Sequence, residues 1–181
     1  MSRKTKLTIS VAVVATVLLA TVVAVVANRA DDRSATSISI VGLVDVQKTF
    51  SYEDLKSMKN VSVVAELICV SGTSLGTHNW TGVMLKDLLN VTGVKAGATK
   101  LAFSASGYTT DLTLADAMRN DVIVAFMRDG APMNEKTRLV VPGKWGYKWI
   151  SGIETINLVD YDFKGKWESQ GYSDDARIPG L

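Results

Sequence analysis

The 181-residue chain carries 20 Lys plus Arg against 18 Asp plus Glu; five of the basic and two of the acidic residues fall in the first 34, which leaves the rest near neutral at 15 against 16. A domain without a basic face cannot neutralise phosphates, so nucleic acid is excluded as a partner. A single cysteine, Cys69, excludes an intramolecular disulfide framework and leaves stability to the core.

In chain order, the first element is the run from Leu7 to Ala27, 21 consecutive positions without a charge, rich in Val, Ala and Leu. As a helix rising about 1.5 Å per residue it spans about 31 Å, enough to cross the hydrocarbon core of a bilayer. Arg3, Lys4 and Lys6 precede it and Arg29 and Arg33 follow, a bias that keeps the N-terminus in the cytoplasm and sends the rest outside. A single-pass anchor and a cleaved signal segment both answer to this pattern; the run exceeds the roughly 7–15 apolar residues of a signal peptide, which favours the anchor. On either reading the domain is exported, and the anchor places it on the extracytoplasmic side of the cell membrane. The one cue to a twin-arginine route is the pair Arg3-Lys4. Residues 28–37 are small and polar and read as a spacer, which assigns 38–181 to the domain.

Ile38 to Val44 is β-branched and apolar and Val46 to Phe50 alternates, so both predict strands. Ser51 predicts an N-cap for a short helix through Met58, with Glu53 and Asp54 in its first turn. Val61 to Val70 is a near-continuous apolar run, a buried strand ending at Cys69. Ser71 to His78 predicts a loop, and a helix follows from Met84 to Asn90. Strands are expected at Thr99–Ser104 and Tyr108–Leu114 around an Ala105-Ser106-Gly107 turn, then a helix near Ala115 to Asn120. Asp121–Arg128 and Thr137–Val141 read as strands joined through Asp129-Gly130-Ala131-Pro132, and Ile153–Tyr161 as the last. Residues 164–181 read as a polar tail containing aromatics. Many short strands with three short helices, outside any βαβ alternation, predict a β-rich α+β domain.

Candidate chemistry is sparse. The domain has one His and one Cys, His78 and Cys69, nine residues apart. Glu66, three before Cys69 on a strand, falls on the opposite face, which argues against a zinc site made of protein ligands. No Gly-x-Ser-x-Gly elbow accompanies His78, which argues against a serine hydrolase. Cys69 by itself is either a small buried hydrophobe or a ligand. Asn60, Asn79 and Asn90 begin Asn-x-Ser/Thr sequons, meaningful only in a host that glycosylates exported proteins.

Four stretches bear on that choice: Ala65-Glu66-Leu67-Ile68-Cys69-Val70-Ser71-Gly72; Trp80-Thr81-Gly82-Val83-Met84-Leu85-Lys86-Asp87-Leu88-Leu89; Ser104-Ala105-Ser106-Gly107-Tyr108; and Leu139-Val140-Val141-Pro142-Gly143-Lys144-Trp145-Gly146-Tyr147-Lys148-Trp149-Ile150. In content and order they resemble the molybdopterin-binding domain of the sulfite oxidase family, related to the catalytic subunit of methionine sulfoxide reductase, over roughly residues 60–160. The resemblance implies a β-rich fold of that type and a molybdopterin cofactor, with Cys69 as the thiolate ligand of the molybdenum. It also implies pterin contacts from Lys144, Gly146, Tyr147 and Lys148, Gly146 allowing close approach and Lys148 opposing the phosphate charge. His78 is either a polar contact to the pterin or an exposed loop residue, and Tyr108 either lines the metal pocket or is a strand tyrosine with its hydroxyl on a partner. Trp80 is expected beneath the helix that follows it.

The chain departs from the family at Ser106, where many relatives have Asp, and at Trp149, which follows Lys148 where many have a second Lys before the Trp. The implied activity is oxygen-atom transfer on a small oxyanion or sulfoxide. With neither haem nor flavin motif in the sequence, a separate electron carrier is expected, plausibly in the membrane. The alternative is a cofactor-free binding or scaffolding domain that keeps the fold.

Overall fold

A computed structural model of the protein describes residues 37–180. The apolar run from Leu7 to Ala27 lies outside the described residues, and among those described no helix is long and apolar enough to cross a membrane. Ser37, assigned above to the spacer, opens the first strand.

In β1 (Ser37–Gly42) Ile38 and Ile40 point inward on the period of two that a strand imposes. β2 (Lys48–Ser51) hands over to α1 (Tyr52–Ser57), whose start is the expected cap. The Ser51 hydroxyl accepts from the Asp54 N–H at 3.1 Å, and the Asp54 carboxylate accepts from the Ser51 N–H at 2.8 Å, closing a capping box. β3 (Asn60–Ile68) and β4 (Ser74–Met84) then form a long antiparallel pair. The loop expected over 71–78 is therefore shorter than its composition suggested. Ser74, Leu75, Thr77 and Asn79 of β4 are exposed, so no hydrophobic alternation betrays a strand that pairing with β3 holds extended.

α2 (Leu85–Thr92) buries Leu85, Leu88, Leu89 and Thr92, the one-sided spacing of an amphipathic helix. β5 (Lys100–Ala105) and β6 (Tyr108–Thr113) make a hairpin through Ser106 and Gly107, and Thr113 caps the single turn of α3 (Leu114–Ala117). β7 (Ile123–Arg128), the two-residue β8 (Ala131–Pro132) and β9 (Arg138–Val140) precede a 3₁₀ turn at Gly146–Lys148. β10 (Thr155–Val159) and a second 3₁₀ turn at Glu168–Gln170 complete the order.

Two five-stranded sheets result. One runs β2-β1-β10-β5-β6, with β1 and β10 parallel and the other neighbours antiparallel; the second runs β3-β4-β7-β8, with β9 also on β7. Residues from both sheets and the helices meet in one hydrophobic cluster, centred on Trp80, Leu88, Phe103, Val124, Trp149 and Ile156. This is the β-rich α+β domain expected from the element pattern.

The segment read as a polar tail packs back on the domain: Glu168, Ala176 and Ile178 are buried. It is fastened by charge. Lys148 and Asp111, 0% and 1% exposed, pair at 2.8 Å; Lys148 also reaches Glu168 at 2.6 Å, and Lys100 bridges Asp111 at 3.0 Å and Asp162 at 2.6 Å. Asp174 accepts from Lys100 and Lys164. Composition hid this, because the partners in these pairs lie between 11 and 62 positions apart in the sequence.

Candidate active site

Cys69 follows β3 at the turn into β4. Its N–H donates to the Thr73 carbonyl at 2.9 Å and its carbonyl accepts from the Gly72 N–H at 2.8 Å, so the backbone on both sides of the thiol is fixed. The side chain is half-buried and forms part of the wall of a cavity of about 380 Å³, within the range of small-molecule sites. The hydroxyl and N–H of Ser71 hold the thiol below its ordinary pKa by hydrogen bonding to sulfur, which favours the thiolate form that bonds metals.

Opposite elements complete the wall. Leu67 comes from β3, Tyr108 from the start of β6, Arg138 from β9, and Gly146, Tyr147 and Trp149 from the 3₁₀ turn and its end. Gly146 has a steric reason to lack a side chain: a Cβ there lies 3.1 Å from the Ile68 carbonyl oxygen and 3.2 Å from Leu67 Cδ1. The close approach it permits is thus between the turn and the end of β3, one residue before Cys69. Tyr108 donates its hydroxyl to the Tyr147 carbonyl at 2.7 Å, and Tyr147 donates its own to the Ser173 carbonyl at 2.6 Å. Burial, and then the negative charge of Glu168, push both phenols up, Tyr147 to about 12, so both remain donors at neutral pH.

Of the residues singled out in the sequence, the fold therefore brings Cys69, Tyr108, Gly146 and Tyr147 to one cavity. The other three lie elsewhere. His78, midway along β4, places Nδ1 2.6 Å from the Asp129 carboxylate and Nε2 3.3 Å from the Leu75 carbonyl, away from the cavity wall. Lys148 spends its ammonium on Asp111 and Glu168. Lys144, 2% exposed, pairs with Asp116 at 3.0 Å and Asp175 at 2.9 Å, and borders a second cavity of about 480 Å³ together with Arg119, Arg177 and Gly143. Trp80, fully buried, packs edge-on against Trp149 and donates its indole N–H to the Ala65 carbonyl, holding the strand that leads to Cys69.

Sequence reasoning missed Arg138 and Trp167. Among the described residues Arg138 is the only charged side chain on the cavity wall, and its guanidinium is engaged: Nε and Nη2 donate to one Glu135 oxygen at 3.1 and 3.0 Å, and Nη1 to the Trp149 carbonyl at 3.2 Å. Trp167 comes from the tail, and no local periodicity marks it.

A molybdenum cofactor makes two demands. A soft sulfur donor on an open cavity suits the metal, and Cys69 supplies it. The anionic phosphate needs cations, and here the ammonium groups of Lys144 and Lys148 already face carboxylates.

Residues 24–167 match the family model of the oxidoreductase molybdopterin binding domain. The chain is 28% identical over 147 residues to the oxidoreductase YuiH of Bacillus subtilis, covering 78% of this chain and 74% of that one. It is 27% identical over 150 residues to a putative protein-methionine-sulfoxide reductase subunit, YedZ1, of Azospira oryzae, covering 80% and 57%. The fold is similar to that of the sulfane dehydrogenase SoxCD from Paracoccus pantotrophus, with a TM-score of 0.66 and 22% identity over 71% of this chain and 39% of that chain.

Proposed function

Since the chain belongs to the oxidoreductase molybdopterin-binding domain family, to which the sulfite oxidases also belong, we propose that it is a membrane-tethered, extracytoplasmic oxidoreductase in which Cys69 ligates the molybdenum of a bound molybdopterin. The observation that carries this reading is the single thiol, acidified by Ser71 and facing a cavity large enough for a small ligand. The bound cofactor supplies two-electron oxygen-atom transfer. The chain's own residues do the rest. Gly146 lets the 3₁₀ turn lie against the end of β3, which keeps Tyr147 and Trp149 beside Cys69. The Tyr108 and Tyr147 hydroxyls stay protonated and bound to carbonyls, so the wall near the thiol gains no negative charge.

The wall also bears on substrate. Leu67, Val70, Leu75, Ile150 and four aromatic rings face the cavity, and its one guanidinium is already hydrogen-bonded through all three nitrogens. An oxyanion gains little in such surroundings and is costly to desolvate, whereas a sulfoxide with apolar substituents is readily accommodated. We therefore favour a sulfoxide over an oxyanion as substrate, with electrons exchanged with a separate, membrane-borne carrier.

A second reading has its own support. Because Lys144 and Lys148 are spent on carboxylates, a domain that keeps the fold as a cofactor-free scaffold needs no change in either. Expression of the full chain in a host that makes molybdopterin, followed by elemental analysis, separates the two. The oxidoreductase reading expects close to one molybdenum per chain and its loss, with turnover, in Cys69→Ser; protein free of molybdenum from such a host establishes the scaffold.

A further inference from the structure

The tail contributes a side chain to the cavity, and the way it is held is unusual for a chain end. Trp167 lines the same cavity as Cys69. Its neighbour Glu168, 6% exposed, takes hydrogen bonds from Lys148 Nζ at 2.6 Å and from the Thr110 hydroxyl at 2.9 Å on the same carboxylate oxygen. Gly165 lets the segment lie against β6: a Cβ there falls 2.5 Å from Thr110 Cα and 2.5 Å from the other Glu168 oxygen. The Lys166 N–H donates to the Thr109 carbonyl at 2.9 Å. On the far side the Trp167 ring meets Tyr172 edge-on at 4.8 Å, and Tyr172 meets Tyr147, another wall residue, at 5.9 Å. A large indole is thus clamped from both sides at the cavity, and the strongest clamp is a buried ion pair one residue away.

We propose that Trp167 sets the bulk of the molecule that can reach Cys69, and that Glu168, through Lys148 and Thr110, is the positioning residue that holds the indole in the wall. This rests on the oxidoreductase reading for its biological meaning; its geometry does not. A burial of this kind is a costly way to fasten a surface strap, since two ions are desolvated to fix it. What it gains is a wall side chain with one orientation. Discrimination by bulk in such a pocket amounts to about 10- to 200-fold for modest changes in size.

The only cysteine in the chain is the reporter. The full chain is made in a host lacking molybdopterin, and its alkylation rate is measured with a small reagent, iodoacetamide, and a bulky one, pyrenyl maleimide. Trp167→Ala is expected to raise the bulky rate by about tenfold while the small rate stays within about twofold, and Trp167→Phe to stay near wild type. Glu168→Gln should shift the ratio of the two rates in the same direction, and Thr110→Val, which removes one hydrogen bond, should do so more weakly. General loosening raises both rates together, so the ratio isolates the wall. An unchanged ratio in Trp167→Ala overturns the proposal. A shift in Trp167→Ala with none in natively folded Thr110→Val and Glu168→Gln overturns the positioning role. Molybdenum content, measured on chain made in a host that supplies molybdopterin, reports separately: metal present there with an unmoved ratio removes the strap alone, and a shifted ratio with no metal taken up there removes the oxidoreductase alone.

Discussion

Cys69 and Lys148 each meet in the fold the opposite of what their sequence surroundings suggest. The thiol lay at the end of an apolar run, which favours burial, yet the Cys69–Gly72 turn brings it to a cavity wall. The lysine follows Gly143-Lys144-Trp145-Gly146-Tyr147, a stretch whose composition reads as an accessible loop, and it is wholly buried. Replacing Lys148 by Met leaves Glu168 in the interior without its cation and Asp111 with Lys100 alone. The expected loss is about 3–5 kcal/mol, seen as a lower denaturant midpoint. Lys164→Met, whose side chain is exposed, should move the same midpoint far less. Cys69, Tyr108, Gly146 and Tyr147 were named through the family resemblance of their stretches, and the fold brings these four to one cavity wall. Arg138 and Trp167 were not, since only tertiary packing brings β9 and the tail to that wall.

Among the elements, the tail carries the clearest pH signature. Asp174 is held down at about 2: burial opposes its charge, but hydrogen bonds from Lys100 and Lys164 outweigh it. A carboxylate with a depressed native pKa contributes stability above its unfolded value of about 3.9 and loses it as pH falls through the native value. The tail should therefore loosen between about pH 4 and 2, seen as lower amide protection factors over residues 162–175, and Asp174→Asn should remove part of that pH dependence, since Asp162 and Asp175 are held down as well. Asp111, pushed up by burial, acts with the opposite sign, so the comparison with Asp174→Asn is the informative one. At the alkaline end Tyr147 acts in reverse: its share of stability is present below about pH 10 and lost as pH rises through about 12. The N-cap at Ser51 and the helix beginning near Met84 were read directly from sequence, because both rest on local signals. The start of β4 was not, because a strand exposed on both faces carries no period.

For the whole molecule, the β-rich α+β architecture followed from the number of short strands and the lack of βαβ alternation. Strand order did not: nothing local says that β10 inserts between β1 and β5. Deleting residues 1–34 should move the protein from the membrane fraction to the soluble fraction without changing the melting transition of the remaining domain, a test of the proposed tether. Recovery of the shortened protein still in membranes speaks against it.

The parallel pairing of β1 with β10 sets a condition on biosynthesis. Ser39 finds Thr155, and Gly42 finds Leu158, each 116 positions further along the chain, only after β10 has left the ribosome. Until then the centre of the first sheet has no strand, and pairings this distant in sequence form slowly. Nascent chains stalled before Thr155 should be digested readily by protease, and those that carry β10 clear of the exit tunnel on an appended linker should resist. The opening strand thus stays exposed to proteolysis until a partner 116 positions downstream has emerged.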